Sequence, residues 1–375
     1  MKRQIFLLAL LILAVPSQAE TIIVEPNGAG DFNNIQDAIS YSRDGDVIEV
    51  QPGIYVEHIN FYGRAITLTG TDPYDWNTVE STIIRSDYDY LATVRFESGE
   101  DGNSVLTGFT IENIESGNPP YEGTGIECYY SSPLITNNII RNTDSGIIWC
   151  TGEIRNCIVE QCGYGLKYCD CKISNCLIQG NHASGVEGGY GQVVNCTIVW
   201  NERGLSGGIA EIKNCIVSFN NWGLYHCSGT IKYNNVWGNL YGSYYNTYPP
   251  ATDIHEDPLF ADDFNDFHLK SEAGRWDANS ETWVIDAATS LCIDAGDPCD
   301  LVGIEPNPNG GRINMGAYGG TAEASKSGSG IVEPVCINPP PMDTNGDCKI
   351  DFIDFAEFAS QWMDCGLDPQ SACWE

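Results

Sequence analysis

Six stretches, ITNNIIRN, IRNCIVEQ, ISNCLIQGN, VVNCTIVWN, IKNCIVSFN and IKYNNVWGN, recur at a stride that restricts the fold more than any other feature of the chain. Aligned, they give a first column of Ile135, Ile154, Ile173, Val193, Ile212 and Ile231, spaced by 19, 19, 20, 19 and 19 residues. Two residues on stand Asn137, Asn156, Asn175, Asn195 and Asn214, then Tyr233. Next come Asn138, Cys157, Cys176, Cys196, Cys215 and Asn234, followed by an aliphatic column of Ile140, Val159, Ile178, Ile198, Val217 and Val236. A glycine column closes each unit at Gly146, Gly165, Gly185, Gly204, Gly223 and Gly242. Such a unit is too short for a helix pair but holds two or three short strands with bends at Asn and Gly. Wound once per unit, it stacks strands in parallel roughly 4.8 Å apart, so identical residues lie above one another. The Ile and Val columns then form a continuous core. The repeated asparagines are expected to join side-chain amides up the stack, and the glycine column to take backbone with φ > 0.

The cysteines inherit their period from the coil. Their expected role is packing, with Cys acting as a small apolar residue carrying a free thiol. Adjacent coils bring the Cα atoms into disulfide range, but parallel Cβ vectors aim the sulfurs poorly. A second column, Cys150, Cys169, Gly189, Gly208 and Cys227, runs beside Cys171. A Cys150–Cys169 disulfide is the expected bridge there, and a zinc cluster is the alternative, although the usual Cys-x₂-Cys spacing is absent.

The N-terminus, MKRQIFLLALLILAVPSQAE, combines two basic residues, an apolar run and a small-residue exit. This is the pattern of a secretory signal peptide spanning residues 1–19, cleaved after Ala19, which predicts a secreted, extracellular or cell-surface product. No later stretch is apolar enough to read as a transmembrane segment. A net charge of −33 argues against nucleic acid as a partner and favours metal cations. Between Asn137 and Gly242 seven basic residues balance seven acidic ones, so the acidity belongs to the flanks.

On these columns, and on the opening IIVEPNGAGDFNNIQDAISYSRDGDVIEVQPGIY, the chain resembles the pectin-lyase-like superfamily of right-handed parallel β-helices. The resemblance implies an all-β, single-stranded solenoid of about ten coils over residues 20–322, capped by an amphipathic helix bearing Ile35, Ala38 and Ile39. DGDVIEVQPGIY, from Asp44 to Tyr55, is expected to be its first strand and turn, and DPLFADDFNDFHLK, CIDAGDP and GRINMGAYGG its closing segment. Extracellular polysaccharide is the partner implied. The superfamily holds lyases, hydrolases, esterases and non-catalytic surface proteins, so chemistry must come from residues. Asn142-Thr143-Asp144 matches one carboxylate motif of polygalacturonases, but the partner aspartates are missing, and the triplet reads as a turn. A pectate-lyase-like enzyme needs a basic residue to take the proton beside the uronate. Arg155 and Lys172, on successive coils, are the candidates, with surface salt bridging as the plainer role. His182 reads as a solvated turn residue. The rival expectation is a non-catalytic glycan-binding or adhesive surface protein using Trp200, Trp222 and Tyr225.

After a Ser/Gly/Pro linker over residues 323–341 comes DTNGDCKIDFIDFAEFASQWMDC, within a module at 342–375. Asp343, Asn345, Asp347, Asp351 and Asp354 fall at positions 1, 3, 5, 9 and 12 of a calcium loop, with the Lys349 carbonyl at position 7. The loop resembles one type I dockerin repeat, which implies calcium and a cohesin-like partner. It departs from that pattern in carrying Cys348 where Gly is usual and in being single. Cys348 and Cys365 are placed to close a disulfide around its helix, with Cys336 and Cys373 as alternatives. Calorimetry on the full chain is expected to show one calcium ion bound, with the uptake lost in the Asp343→Ala, Asp354→Ala double variant and the β-helix melting temperature unchanged. No uptake by the wild type would rule out the calcium loop.

Overall fold

The computed structural model describes residues 19–87, 91–113 and 123–328, together with Phe355. Two compact units divide the chain, Met1–Gly328 and Ser329–Glu375. The expected signal peptide except Ala19, and the whole calcium loop from Asp343 to Asp354, lie outside the described residues.

The first unit is a right-handed parallel β-helix. Sheet A has ten strands, from Thr21–Val24 to Thr230–Lys232; sheet B has nine, from Gly53–Val56 to Asn235–Trp237; sheet C has nine, from Ile59–Asn60 to Gly242–Tyr245. One coil runs Leu134–Thr136 in sheet A, Ile139–Arg141 in sheet B and Ser145–Ile148 in sheet C before Glu153–Arg155 re-enters sheet A. The strand order begins earlier than expected: Thr21–Val24 precedes Val47–Val50 and pairs with it. Helix α1 (Ile35–Tyr41) covers the first coil, burying Ile35, Ala38 and Ile39. Asn34 caps it by accepting from the Asp37 amide.

The repeat columns are the registers of the sheets. Ile154 pairs with Ile135 and Ile173, and Val159 with Ile140 and Ile178, all buried. A third core column, Ile147, Leu166, Val186, Leu205 and Leu224, comes from sheet C.

Positive φ falls on the asparagines rather than on the glycines. Asn137, Asn156, Asn175, Asn195 and Asn214 have φ between 49° and 55°, as does Tyr233 at 54°. Asparagine is among the residues that tolerate this left-handed conformation at least cost. Of the glycine column, Gly242 has positive φ, at 157°, and Gly146, Gly165, Gly185, Gly204 and Gly223 do not. They are small because the next coil leaves no room: a Cβ on Gly165 would lie 2.5 Å from the Gly185 carbonyl oxygen.

The residue after each left-handed corner points inward. At the A–B corner, Asn138 Nδ2 donates to the Thr136 carbonyl two residues back (2.9 Å) and to Leu106 one coil back (2.9 Å). Cys157 follows the same pattern more weakly, its thiol donating to Arg155 (3.2 Å) and Ile135 (3.8 Å). Cys176, Cys196 and Cys215 repeat it. The expected amide ladder stands at the B–C corner instead, where Asn181 Nδ2 donates to Asn201, Asn201 to Asn220 and Asn220 to Asn239 at 2.8–3.1 Å. Every described cysteine is free, so the expected Cys150–Cys169 bridge is absent. No group of three His, Cys, Asp or Glu among the described residues is arranged to hold a metal ion. Burial raises the Cys162 thiol to about 11 and Cys227 to about 12, which keeps them protonated and unreactive.

Residues 253–328 run back along the outside of sheet B. Phe260, Phe267, Leu269 and Met315 build a second core there on Val199 and Ile216. Residues 323–328, expected to begin the linker, belong to this segment: Ser325 and Ser327 are buried, and Ser325 Oγ donates to the Leu269 carbonyl (2.5 Å). Within it Glu305 is buried, one oxygen accepting from the Asn314 and Gly320 amides (2.8 and 2.7 Å) and the other without a partner among the described residues. Burial raises this carboxyl to about 7. No helix among the described residues is long and apolar enough to cross a membrane.

Two outcomes follow. Gly165→Ala is expected to cost about 1–3 kcal/mol by overpacking. Gly180→Asn, at φ 62° in open space, is expected to stay within about 0.5 kcal/mol. Denaturant melts that rank the two alike would contradict the packing account. Because the folded Glu305 binds its proton more tightly than the unfolded chain does, stability falls as pH rises from about 4.5 to about 7, by about 3 kcal/mol for this group. The shift of His268 has the same sign. Glu305→Gln is expected to flatten the Glu305 share of that slope in melts across the range, and an unchanged slope would refute it.

Candidate functional site

Outward-facing residues form rows along the three sheets, and the chemistry must be sought there. On sheet A, Lys172 pairs in register with Glu153, while Arg155 pairs with Ser174. The two candidate bases therefore lie on successive coils but in different rows. Both are exposed. The other sheet A cations are held by the closing segment, Lys213 on Asp300 (2.8 Å) and Lys232 on Asp297 (2.9 Å).

The aromatic candidates are largely occupied. Trp200 is stacked between Phe219 and Phe264, with centroids 4.9 Å away on each side, and its Nε1 donates to the Asp263 carbonyl. Trp222 and Tyr225 pack with Tyr245 at 4.8 Å, and Arg203 lies 4.9 Å over the Tyr225 ring. His182 lines a shallow depression with Glu202 and Asn221 whose floor is the amide ladder, its amides already engaged.

A better-formed site lies at the A–B corner. There the chain departs from the coil between Gly70 and Thr82, making the 71–75 loop and helix α2 (Trp76–Ser81), whose N-cap Asp75 accepts from the Asn77 and Thr78 amides. This excursion faces residues 317–323 of the closing segment across a groove of about 250 Å³. Asn137, Asn156 and Asn175 form its floor with Ile158 and Leu177; Tyr74 and Trp76 line one side, Tyr318 and Glu323 the other.

The floor asparagines differ in their bonding. Asn175 Nδ2 donates to the Ala317 and Gly319 carbonyls (3.0 and 2.8 Å), and Asn195 Nδ2 to Asn314 (2.9 Å). Asn214 bonds Asp300 and the Asp297 amide. Asn137 reaches Thr107 at 3.4 Å. Asn156 sits one coil beyond Asn175; its backbone amide donates to the Ser174 carbonyl (3.1 Å), and its side-chain amide has no hydrogen-bond partner among the described residues.

Behind the opposite wall is a chain of charges. Arg275 bonds Asp286 and Asp266 (both 3.1 Å), Asp266 bonds His268 Nδ1 (2.6 Å), and His268 Nε2 meets Glu323 Oε2 (3.3 Å). The Tyr318 ring covers the imidazole at 3.6 Å. Burial alone would lower the His268 pKa, but hydrogen bonds to Asp266 and Glu323 outweigh it and raise it. His268 Nε2 thus holds one Glu323 oxygen, and the Glu323 side chain remains 44% exposed.

None of this groove's Trp76, Tyr74, Asn156 and Glu323 was singled out by the sequence as a site. TDPYDW shows as an aromatic insertion between Gly70 and Thr82, and Glu323 fell at the start of the expected linker.

A family model described as "Disaggregatase related" matches residues 123–296, less than half of the chain. No curated protein matches the sequence. Among solved structures, pectate lyase Pel9A is similar at 13% identity and a TM-score of 0.44, over 80% of this chain and 96% of that one. The deglycosylated pectin methylesterase of Aspergillus niger is similar at 16% identity and a TM-score of 0.43, over 68% and 89%. For the carrot pectin methylesterase the values are 13% and 0.33, over 64% and 78%. At these identities the likeness is one of fold.

Proposed function

We propose that this chain is an exported glycan-binding β-helix which seats a segment of extracellular polysaccharide in the groove between Trp76 and Glu323. The observation that carries the reading is the combination lining that groove: exposed aromatic side chains, a free asparagine amide and one carboxylate. A pyranose ring has an apolar face that stacks on an aromatic side chain and a rim of hydroxyls that need hydrogen-bond partners, and such sites pair apolar walls with a few placed polar groups. Trp76 and Tyr74 supply the first, Asn156 and Glu323 the second.

Binding is preferred to cleavage because glycoside hydrolysis needs two opposed carboxylates, and Glu323 is the one carboxylate lining the groove among the described residues. A lyase through Arg155 or Lys172 would need carboxylates gathered around one of them, and Lys172 has only Glu153 in register. The signal peptide and the calcium-binding tail complete the proposal from sequence alone, the tail serving as an attachment to a surface or a cohesin-like partner.

Isothermal titration of the full chain against a panel of neutral, acidic and amino oligosaccharides tests it. At least one class is expected to bind, and Trp76→Ala to weaken that binding by roughly tenfold or more, the effect of losing an aromatic anchor. Trp200→Ala is expected to lower thermal stability and leave affinity unchanged. A protein inert to the whole panel would refute the proposal.

A further inference from the structure

We propose that the sugar selected by the groove carries a free ammonium group, with Glu323 as its counter-ion; this rests on the glycan-binding reading and names the substrate class. Three features of the site lead there.

The first is charge. Among the described residues lining the groove, Glu323 alone bears a formal charge, and no lysine or arginine lines it. The cluster behind it comprises Asp266, Asp286 and Glu323 against Arg275 and His268, three carboxylates to two cations, so the groove wall keeps a net negative charge even with the imidazole protonated. Lys326, three residues along the chain, is turned away, its Nζ 4.0 Å over the Trp283 ring. Arg155 stands on the exposed sheet A row next to Asn156 but does not line the groove. A uronate carboxylate placed here would meet like charge, whereas an ammonium would meet its opposite.

The second is the orientation of the carboxylate. Glu323 Oε2 is engaged by His268, while Oε1 has no partner among the described residues. The imidazole is itself fixed by Asp266 and by the Tyr318 ring stacked on it. A carboxylate held by one oxygen and free at the other is a preorganised acceptor for an N⁺–H donor.

The third is the company it keeps. Trp76 and Tyr74 offer π faces to the C–H face of a sugar ring, and aromatic rings also attract a nearby cation. The Asn156 amide, open across the floor, suits a ring hydroxyl. A simple cation would use the carboxylate and leave the amide and the stacking face idle; an amino sugar uses all three.

The experiment is a titration of the full chain with oligomers of glucosamine, of N-acetylglucosamine and of galacturonate, at a pH where the amine is protonated, with trilysine as a charge-only probe. Wild type is expected to bind the glucosamine oligomer roughly tenfold more tightly than the N-acetylated one, as for one charge-assisted hydrogen bond. Glu323→Gln is expected to erase that difference and keep the weaker, common affinity, and Trp76→Ala to weaken both sugars. Arg155→Gln is expected to leave the preference intact. Equal affinity for the two glucosamine forms, tighter binding of galacturonate, trilysine binding as tightly as the amino sugar, or a preference that survives Glu323→Gln would each overturn the inference while leaving glycan binding standing. Failure to bind any sugar would remove both.

Discussion

Most corners of the repeat share one interaction, the hydrogen bond from an inward Asn or Cys to carbonyls beside the left-handed turn. Backbone amides of the left-handed residues carry the ladder through the A–B corner, Asn137 donating to the Arg155 carbonyl, Asn156 to Ser174 and Asn195 to Lys213, and the inward side chain adds a second donor to the same carbonyls. Asn138 and Asn234 donate in this way on the first and last coils of the six-coil repeat at the A–B corner, and four cysteines do so between them. A thiol is a weaker donor than an amide but smaller and more readily buried, so the run of four cysteines keeps this corner narrow. The same logic at the B–C corner uses Cys162 and then the ladder from Asn181 to Asn239.

Because the corners are rigid, the outer residues stand in rows with nearly fixed spacing, and the closing segment reads them like a template. Its carbonyls and carboxylates take up the outward asparagines one after another, from Asn214 to Asn195 to Asn175. Beyond Asn175, the Asn156 side-chain amide has no partner among the described residues, and the excursion carrying Trp76 reaches in from the other side. The groove is thus the vacancy between two departures from the repeat, floored by the repeat itself. Its polarity follows: the floor offers amides because corners select asparagine, and the walls offer aromatics and a carboxylate because they are free of that constraint.

Charge sets the character of this groove. The cations of sheet A are either tied to the closing segment or stand outside the groove. The Arg275–Asp266–His268–Glu323 series spends its positive charge internally, fixing the orientation of Glu323 without cancelling its sign.

The coil, its period, the Ile and Val columns and the burial of the NCIV cysteines were legible in the residues, because a solenoid repeats its environment every turn and the sequence must repeat with it. The roles of Asn and Gly were exchanged in that reading. Both mark bends in a linear pattern, and only the stacking shows that Asn takes the positive φ while Gly makes room for the next coil's carbonyl. Arg155 and Lys172 could be placed on successive coils by counting, but not in separate rows, since row membership depends on strand register. Trp76 and Glu323 stand 247 positions apart in non-repeating segments. Periodicity says nothing about such residues; their meeting is decided by how the closing segment folds back over sheet B, a long-range packing event driven by the second apolar core.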